Sequence, residues 1–258
     1  MKDRKIKDAV RDTYSQIAGH KQQICCSGGE CGCGSSCATN PSALAKAVGY
    51  SSEDLECIPE EASLGLGCGN PLAIAELKEG ETVLDLGSGA GMDVFLAANK
   101  IGPKGKVIGI DMTAEMIERA RAIAGSNGYE NVEFRLGEIE KLPVDDDYVD
   151  TVISNCVINL APDKSQVFSE AYRVLKPGGK LIVSDIVADR ALPDEMREDL
   201  NAWAGCIAGA LEQQEYLAKI KEAGFNDLQL VSNGEFHQED TEGGQSMKFM
   251  SITVKAYK

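Results

Sequence analysis

Cysteine is the side chain of this 258-residue sequence that most invites a chemical role, because there are nine cysteines but two histidines. His20 and His237 lie in no recognisable constellation, so histidine-based acid–base catalysis has few candidates. The N-terminal residues lack the apolar run of a signal peptide, and we expect a cytoplasmic protein. In that setting cysteines more often bind metal or take part in chemistry than staple the fold by disulfides.

Three cysteines lie near predicted strand ends, where a ligand cleft is expected. Cys68 lies just upstream of the first strand of the sheet, Cys156 follows the fourth strand, and Cys206 lies beyond the fifth. Since ligands of open α/β sheets bind beyond the carboxyl ends of the strands, Cys156 is well placed beside a reacting group. An isolated free cysteine more often packs as a small hydrophobic residue, so position alone leaves a packing role open.

A glycine-rich stretch follows the first predicted strand and indicates a cofactor site. Its spacing is Gly-x-Gly-x-Gly, which differs from the Gly-x-Gly-x-x-Gly of dinucleotide-binding folds. A carboxylate immediately before the loop would repel a pyrophosphate but would accept a sulfonium ligand that carries an α-amino group. We therefore predict that such a ligand binds here, through Asp85, Gly87, Ser88, Gly89 and Gly91. The alternative is a purely structural turn.

The ends of the next strands supply further cofactor candidates. Asp111 ends the second strand, where a carboxylate can accept both ribose hydroxyls; it could instead cap the following helix. Met112 either lines the adenosine pocket or fills the core. After the third strand, Ile139 and Glu140 are placed to pack against and hydrogen-bond an adenine, although such loops also carry glutamate for solubility. Asn155, at the end of the fourth strand, completes the set.

The elements that position these residues alternate along the chain. Hydrophobic periodicity and helix-start signals predict helices at 1–20, 41–48, 70–77, 91–100, 114–124, 164–174 and 213–223. Strands are predicted at 82–86, 106–110, 132–136, 149–154, 180–186, 227–232 and 248–255, with a turn at Lys176–Gly179. This alternation predicts an α/β fold with a mostly parallel sheet and helices on both faces.

The charge of the chain argues against several classes of partner. With 26 basic and 41 acidic residues, the net charge is −15, and no basic stripe is present that could bind nucleic acid or an anionic membrane surface. No apolar run approaches the roughly 20 residues that a membrane helix needs. A small neutral or thiol-bound acceptor is more compatible with this composition.

The cofactor motifs resemble those of the class I S-adenosylmethionine methyltransferases. The match covers residues 81–187 and is carried by Val83–Gly91 followed by Asp111. The resemblance implies a Rossmann-like, mostly parallel seven-stranded sheet. Around this domain, taken as residues 70–190, we expect an N-terminal helix, cysteine-rich loop and cap (1–69) and a C-terminal acceptor-binding region that completes the sheet (191–258).

Within that superfamily, the cysteine contexts resemble the arsenite methyltransferases. Gly-Cys-Gly-Asn-Pro around Cys68, Ser-Asn-Cys-Val-Ile-Asn-Leu around Cys156 and Cys-Ile-Ala-Gly-Ala at Cys206 carry the resemblance, together with Ile58–Ala62. It covers nearly all of residues 50–225. It implies that the three thiolates bind As(III), which receives a methyl group from S-adenosylmethionine, and that thioredoxin or glutathione supplies electrons.

The resemblance also implies a role for one N-terminal cysteine in thiol relay or disulfide formation. The candidates crowd a loop rich in Gly, Ser and Thr: Cys25, Cys26, Cys31, Cys33 and Cys37. This cluster could deliver or capture arsenic, could bind Zn²⁺ although it lacks regular paired Cys-x-x-Cys spacing, or could be a disordered tail.

Two other functions remain open at this level. A C- or O-methyltransferase acting on a quinone or another small organic acceptor would keep Asp85, the glycines and Asp111. A non-catalytic thiol protein on the same scaffold would bind As(III) or another metal without consuming S-adenosylmethionine.

Overall fold

A seven-stranded sheet forms the centre of the computed structural model, which describes residues 2–19, 40–240 and 246–258. The strands are β1 (Thr82–Leu86), β2 (Lys106–Asp111), β3 (Val132–Leu136), β4 (Val149–Asn155), β5 (Leu175–Ala188), β6 (Asn226–Asp240) and β7 (Ser246–Tyr257). Their order across the sheet is β3-β2-β1-β4-β5-β7-β6. Neighbours among β1 to β5 pair in parallel, whereas β7 pairs antiparallel with both β5 and β6. The strand order reverses between β1 and β4, which places a ligand crevice at the carboxyl ends of these two strands.

Helices cover both faces of this sheet. They are α1 (Lys2–Gly19), α2 (Pro41–Ala47), α3 (Ser52–Glu56), α4 (Met92–Ile101), α5 (Ala114–Ser126), α6 (Lys164–Val174), α7 (Asp194–Glu198), α8 (Leu200–Ala204) and α9 (Gln213–Glu222). Short 3-10 turns lie at Glu60–Ala62, Pro71–Ala73 and Ile158–Leu160. One apolar core lies between the sheet and α4 and α5, and a second lies between the sheet and α6 and α9. The predicted α/β class and helices on both faces are confirmed.

A third apolar cluster lies at the carboxyl end of the sheet. It joins Ile6 and Val10 of α1 to Trp203 of α8, and it contains three buried cysteines, Cys68, Cys156 and Cys206. The helix α1 therefore covers this end of the sheet. Among the described residues, no helix combines the length and the apolarity that crossing a bilayer requires.

Element boundaries agree closely with the sequence predictions in the parallel half of the sheet. The strands β1 and β3 and the helix α6 begin and end at the predicted residues. The predicted helix at 70–77 is wrong, since only Pro71–Ala73 turns, as a 3-10 helix. Glu76 has a φ of 46°, which a right-handed helix cannot accommodate. The short helices α7 and α8 were not predicted.

The strand β5 is longer than the sequence indicated. It begins at Leu175, so the predicted turn Lys176–Gly179 lies inside it as an irregularity. The register with β4 shifts there, from Val149 opposite Leu175 to Thr151 opposite Lys180. The two late strands are also longer than predicted. The proposed division of the chain at residues 69/70 and 190/191 stays a prediction.

Candidate active site

A pocket opens at the carboxyl ends of the parallel strands, beneath α1. Most of the predicted cofactor-binding residues line it, and they come from the loops after β1, β2, β3 and β4: Asp85, Gly87, Ser88, Gly89, Asp111, Met112, Ile139, Glu140 and Asn155. Cys156 lines the same pocket. The helix α1 contributes Lys7, Val10 and Tyr14. Residues far apart in sequence thus meet around one cavity.

The loop after β1 depends on backbone conformations that favour glycine. Gly87 and Gly89 have φ values of 69° and 52°, in the left-handed region that L side chains rarely adopt. A Cβ on Gly87 would lie 2.2 Å from a methyl carbon of Val157, so this position also requires close approach of the loop after β4. A Cβ on Gly89 would meet no atom within 4 Å, which leaves that part of the loop open for a ligand.

Gly91 is not among the residues that line the pocket, and the cofactor-binding role predicted for it stays a prediction. A Cβ at this position would lie 2.8 Å from the Phe134 ring and 2.9 Å from the Phe95 ring. Gly91 also has a φ of 97° and stands at the N-terminal cap of α4. Its absent side chain therefore serves the packing of α4 against the sheet.

Asp85 is a buried carboxylate without a compensating partner. Its side chain is 3% exposed, and no described residue hydrogen-bonds to it. Desolvation by burial, together with the charges of Asp93 and Asp111, raises the pKa of Asp85 well above its ordinary value. A carboxylate held in this way attracts a cationic ligand, because a positive charge would relieve the repulsion and the lost hydration.

Asp111 supports the glycine-rich loop and the start of α5 at once. One carboxylate oxygen accepts a hydrogen bond from the Gly89 amide at 3.0 Å, and the other accepts from the Thr113 amide at 2.8 Å. The predicted capping of α5 is not observed, because the N-cap of this helix is Thr113 and Asp111 accepts from the amide of that residue. Ribose binding is the other predicted role, and the position of Asp111 on the pocket wall is compatible with it.

Lys7 ties α1 to the loop after β3. Its ammonium lies 2.9 Å from a carboxylate oxygen of Glu140 and 2.7 Å from one of Glu138. Farther along the helix, the Tyr14 hydroxyl contacts the carbonyl oxygen of Ala204 at 3.5 Å. The helix α1 thus contacts both the pocket wall that holds Glu140 and the segment that leads to Cys206.

Behind this pocket Cys156 lies beside each of the two other cysteines predicted to act with it, although the Cys206 sulfur is outside the group of ligand atoms that Cys68, Cys156 and Asp185 form. The sulfur atoms of Cys68 and Cys156 and a carboxylate oxygen of Asp185 all lie within 4.8 Å of one another. The Cys206 thiol donates to the carbonyl oxygen of Cys156 at 3.0 Å. Cys156 therefore lies between the other two cysteines, and of the three it alone lines the pocket.

The buried environment keeps these thiols protonated. Interaction with the Cys206 thiol lowers the pKa of Cys156, whereas interaction with Cys68 and desolvation by burial raise it, so that the pKa lies well above its usual value. Interaction with Cys156 and desolvation likewise raise the pKa of Cys206. A ligand that binds sulfur here must therefore displace the thiol protons, as a soft electrophile does.

Asp185 was not predicted, although it stands beside the thiols. It is fully buried and accepts hydrogen bonds from the amides of Asn159 and Ile186 and from the Tyr216 hydroxyl, at 2.9 to 3.1 Å. Desolvation raises the pKa of Asp185 to about 6, although these hydrogen bonds and Lys164 oppose the shift. The signal in the sequence was a charged residue inside an apolar strand, which is rarely buried without a purpose.

Asn155 was predicted to contact the cofactor, but its amide is engaged within the protein. The oxygen accepts a hydrogen bond from the Cys68 amide at 3.1 Å. The nitrogen donates toward Gly69, Tyr50 and Asp93, at 2.9 to 3.2 Å. Its amide therefore bonds the Cys68 loop as well as two side chains of the pocket wall, Tyr50 and Asp93.

The remaining cysteines do not line this pocket or lie outside the described residues. From the sequence, Cys57 at a probable helix end is expected to pack in the interior, but it is exposed at the C-terminal end of α3. The cluster of Cys25, Cys26, Cys31, Cys33 and Cys37 lies outside the described residues.

Comparison with known proteins identifies similar chains. A family model described as a methyltransferase domain matches residues 77–224. Arsenite methyltransferase of Halobacterium salinarum is 47% identical over 89% of this chain and 59% of its own length. Human arsenite methyltransferase is 37% identical over 90% of this chain and 61% of its own length. The chain therefore spans about three fifths of these curated relatives.

A solved structure supports the same relationship. The arsenic(III) S-adenosylmethionine methyltransferase from Chlamydomonas reinhardtii superposes with a TM-score of 0.67 and is 38% identical, covering 83% of this chain and 73% of that one.

Proposed function

Because this chain belongs to the arsenic(III) S-adenosylmethionine methyltransferase family, we propose that it methylates As(III) bound to Cys68, Cys156 and Cys206. The observation that carries the proposal is the position of Cys156. Its residue lines the pocket of the predicted cofactor loop, its sulfur lies within 4.8 Å of that of Cys68, and its carbonyl oxygen accepts from the Cys206 thiol. One residue thus joins a donor pocket to a thiol cluster.

The residues of the pocket fit S-adenosylmethionine. Asp85 offers an unpartnered buried carboxylate for the cationic part of the molecule, and Asp111 offers a carboxylate for ribose hydroxyls. The open space at Gly89 permits close approach to the backbone, and Ile139 and Met112 provide apolar wall. When bound, S-adenosylmethionine supplies an electrophilic methyl carbon on a positively charged sulfur.

The thiol cluster fits a soft trivalent acceptor. Soft metals and metalloids prefer thiolate ligands, and the three thiols are buried where hard oxygen ligands from water compete poorly. As(III) with three sulfur ligands is pyramidal and keeps a lone pair, which is the nucleophile. The proton of each thiol leaves with the ligand that arsenic exchanges, so no general base is needed on the acceptor. The contribution of the protein is positioning and exclusion of water.

The remaining partners follow from this chemistry. Because methylation takes two electrons from arsenic, a thiol such as thioredoxin or glutathione must restore As(III) for a further round. Free buried cysteines are compatible with the cytosol, where thiols stay reduced. The net charge of −15 supports a small acceptor over nucleic acid. The N-terminal cysteine cluster is proposed to deliver or capture arsenic, and deletion of residues 25–37 should slow arsenic loading.

Product analysis tests the proposal. The protein is incubated with arsenite, a thiol reductant and S-adenosylmethionine, and methylated arsenicals are identified by mass spectrometry. Cys156→Ser and Cys206→Ser are each expected to lower methylation at least 100-fold, while binding of S-adenosylhomocysteine survives. Cys57→Ser is the matched control, because Cys57 is exposed and remote from the pocket, and it should retain the wild-type rate.

The outcomes separate the rival functions. Arsenite methylation at the wild-type rate by Cys156→Ser would contradict the three-thiolate site. Binding of As(III) without consumption of the methyl donor would indicate a thiol-based sensor or buffer. A quinone-type methyltransferase would methylate an organic acceptor and would tolerate Cys156→Ser.

A further inference from the structure

Two asparagines flank Cys156, and each holds the segment that carries one of the other two cysteines. Asn155 ends β4, and Asn159 lies in the 3-10 turn that follows Cys156. The segment from 155 to 159 therefore contains one thiol and the amides that contact the backbones of the other two. Both asparagines belong to the Ser-Asn-Cys-Val-Ile-Asn-Leu stretch, and Asn155 also lines the cofactor pocket. The contacts of their amides with the two other cysteine segments are visible only in the folded chain.

The side chain of Asn155 hydrogen-bonds to the Cys68 loop at two points, at Cys68 itself and at Gly69. Its amide oxygen accepts from the Cys68 N–H at 3.1 Å, and its amide nitrogen donates to the Gly69 carbonyl at 2.9 Å. The orientation of the amide is determined by these contacts, because a flip would place a donor against the Cys68 N–H and an acceptor against the Gly69 carbonyl. The approach is close enough that a Cβ on Gly67 would lie 2.8 Å from the Asn155 nitrogen.

The side chain of Asn159 hydrogen-bonds to the Cys206 segment in a comparable way. Its side-chain nitrogen donates to the carbonyl of Cys206 at 3.2 Å and to that of Ile186 at 2.6 Å. Its backbone N–H donates to Asp185 at 3.1 Å. A Cβ on Gly209 would lie 1.9 Å from the carbonyl oxygen of Asn159, so the Cys206 segment packs directly on this residue.

The burial of Asn159 is unfavourable for the stability of the fold. The residue is 0% exposed, and its side-chain oxygen has no hydrogen-bond partner among the described residues. An unpaired buried oxygen destabilises the folded state, because it has lost its hydrogen bonds to water. The stabilising contacts of the side chain are made by its two N–H groups, which connect the Cys206 carbonyl to that of Ile186 in β5.

We propose that Asn155 and Asn159 are positioning residues, of which Asn155 sets Cys68 and Asn159 sets Cys206 relative to Cys156. The inference rests on the proposed function, because it assigns the three thiols to one acceptor atom. Three sulfurs can bind that atom together only when their loops keep fixed relative positions. A displacement of about 1 Å lowers the rate of a reaction in such a site on the order of 100-fold. The segment around Cys156 then acts as the template for the whole acceptor site.

A double-mutant cycle on As(III) affinity tests this pairing. Asn155→Ala and Asn159→Ala are each expected to weaken As(III) binding about tenfold, the effect of one lost buried hydrogen bond. In the Cys68→Ser background, Asn155→Ala should have less than a twofold further effect, since the thiol that it positions is gone. The same holds for Asn159→Ala in the Cys206→Ser background. The crossed pairs, Asn155→Ala with Cys206→Ser and Asn159→Ala with Cys68→Ser, are the matched controls and should remain additive.

Additive losses of As(III) affinity in all four double variants would overturn the proposal. That result would mean that each asparagine loosens the whole site and does not position one particular thiol. The dissociation constant of S-adenosylhomocysteine is measured alongside. A large loss of cofactor binding by Asn155→Ala, with As(III) affinity unchanged, would make Asn155 a cofactor ligand and would also overturn it.

A second measurement needs no arsenic and so separates this proposal from the proposed function. Each thiol is alkylated with iodoacetamide in the folded protein, and rates are mapped by peptide mass spectrometry. Asn155→Ala should accelerate Cys68 selectively, and Asn159→Ala should accelerate Cys206 selectively. Equal acceleration of all three thiols would contradict positioning even if the wild type methylates arsenite. If the wild type binds no As(III), the proposed function fails, and the alkylation pattern still decides the positioning roles. If Asn159→Ala does not fold, Asn159→Ser is used in its place.

Discussion

The thiol of Cys206 donates to the backbone carbonyl of Cys156, with sulfur and oxygen 3.0 Å apart. Both residues also have left-handed backbones, with φ values of 61° at Cys156 and 63° at Cys206. A non-glycine residue pays about 1–2 kcal/mol for this conformation, and such strain tends to occur at functional sites. The left-handed turn at Cys206 closes α8, because the Cys206 N–H donates to the Trp203 carbonyl and the Ile207 N–H donates to that of Ala202. The turn at Cys156 directly follows the end of β4.

The backbone strain at Cys156 gives a stability prediction. Cys156→Gly should be more stable than Cys156→Ala by about 1 kcal/mol, because glycine adopts the left-handed conformation freely. Urea denaturation of the two variants measures the difference. Cys68 is the control, since its φ is not positive, and there the glycine variant should be the less stable one. The same order at both positions would show that the strain at Cys156 is negligible.

Asp85 should lower the stability of the cofactor-free protein while it strengthens cofactor binding. Burial raises its pKa in the folded protein, so ionisation at neutral pH costs stability when no cation is bound. Asp85→Asn should therefore raise the free energy of unfolding at pH 7, yet weaken S-adenosylmethionine binding at least tenfold. Unfolding curves and calorimetric titration test the two effects. Asp163→Asn, at the exposed N-cap of α6, should change neither. Unaltered cofactor affinity in Asp85→Asn would contradict the role assigned to this carboxylate.

Gly209 and Gly205 form a matched pair on either side of Cys206. A Cβ on Gly209 would lie 1.9 Å from the Asn159 carbonyl oxygen, whereas one on Gly205 would meet its neighbours at 3.7 Å or more. Gly209→Ala should cost about 2–3 kcal/mol, because backbone cannot yield as a flexible side chain does. Gly205→Ala should cost less than about 1 kcal/mol. Thermal unfolding measures both, and equal costs would mean that the Cys206 segment can move away from Asn159.

Asp185 should make stability fall as the pH rises. Its pKa is raised from 3.8 to about 6 in the folded protein, so the folded state binds the proton more tightly than the unfolded state. The stabilisation is therefore complete below about pH 4 and is lost as the pH rises through about 6, by about 3 kcal/mol in total. Asp185→Asn has no such proton, so the stability of the wild type relative to this variant should decline across that interval. Urea denaturation at pH 4, 5, 6 and 7 tests the slope. A parallel pH profile for both proteins would contradict the raised pKa.

Much of the fold followed from local patterns of residues. The strands β1 and β3 and the helix α6 have the predicted ends, because alternation, capping and turn residues act over a few positions. The failed helix at 70–77 shows the limit of such patterns. Its apolar spacing was compatible with a helix, but burial of Leu72 and Ala75 beneath the sheet favoured an irregular path.

The cofactor loop and the reactive sulfurs were also recognisable, since Asp85 and the cysteines are identified by type and by their place after a strand. Which groups surround those sulfurs could not be inferred in the same way. Asn155 lies 87 positions from Cys68, and Asp185 lies 29 from Cys156, so their contacts depend on strand order and register. Chain-local chemistry thus specified the elements and the reactive atoms. The long-range packing alone decided that Gly91 packs α4, that Asn155 holds a thiol loop and that Asp185 stands beside the sulfurs, because contacts between distant segments have no signature in either segment by itself.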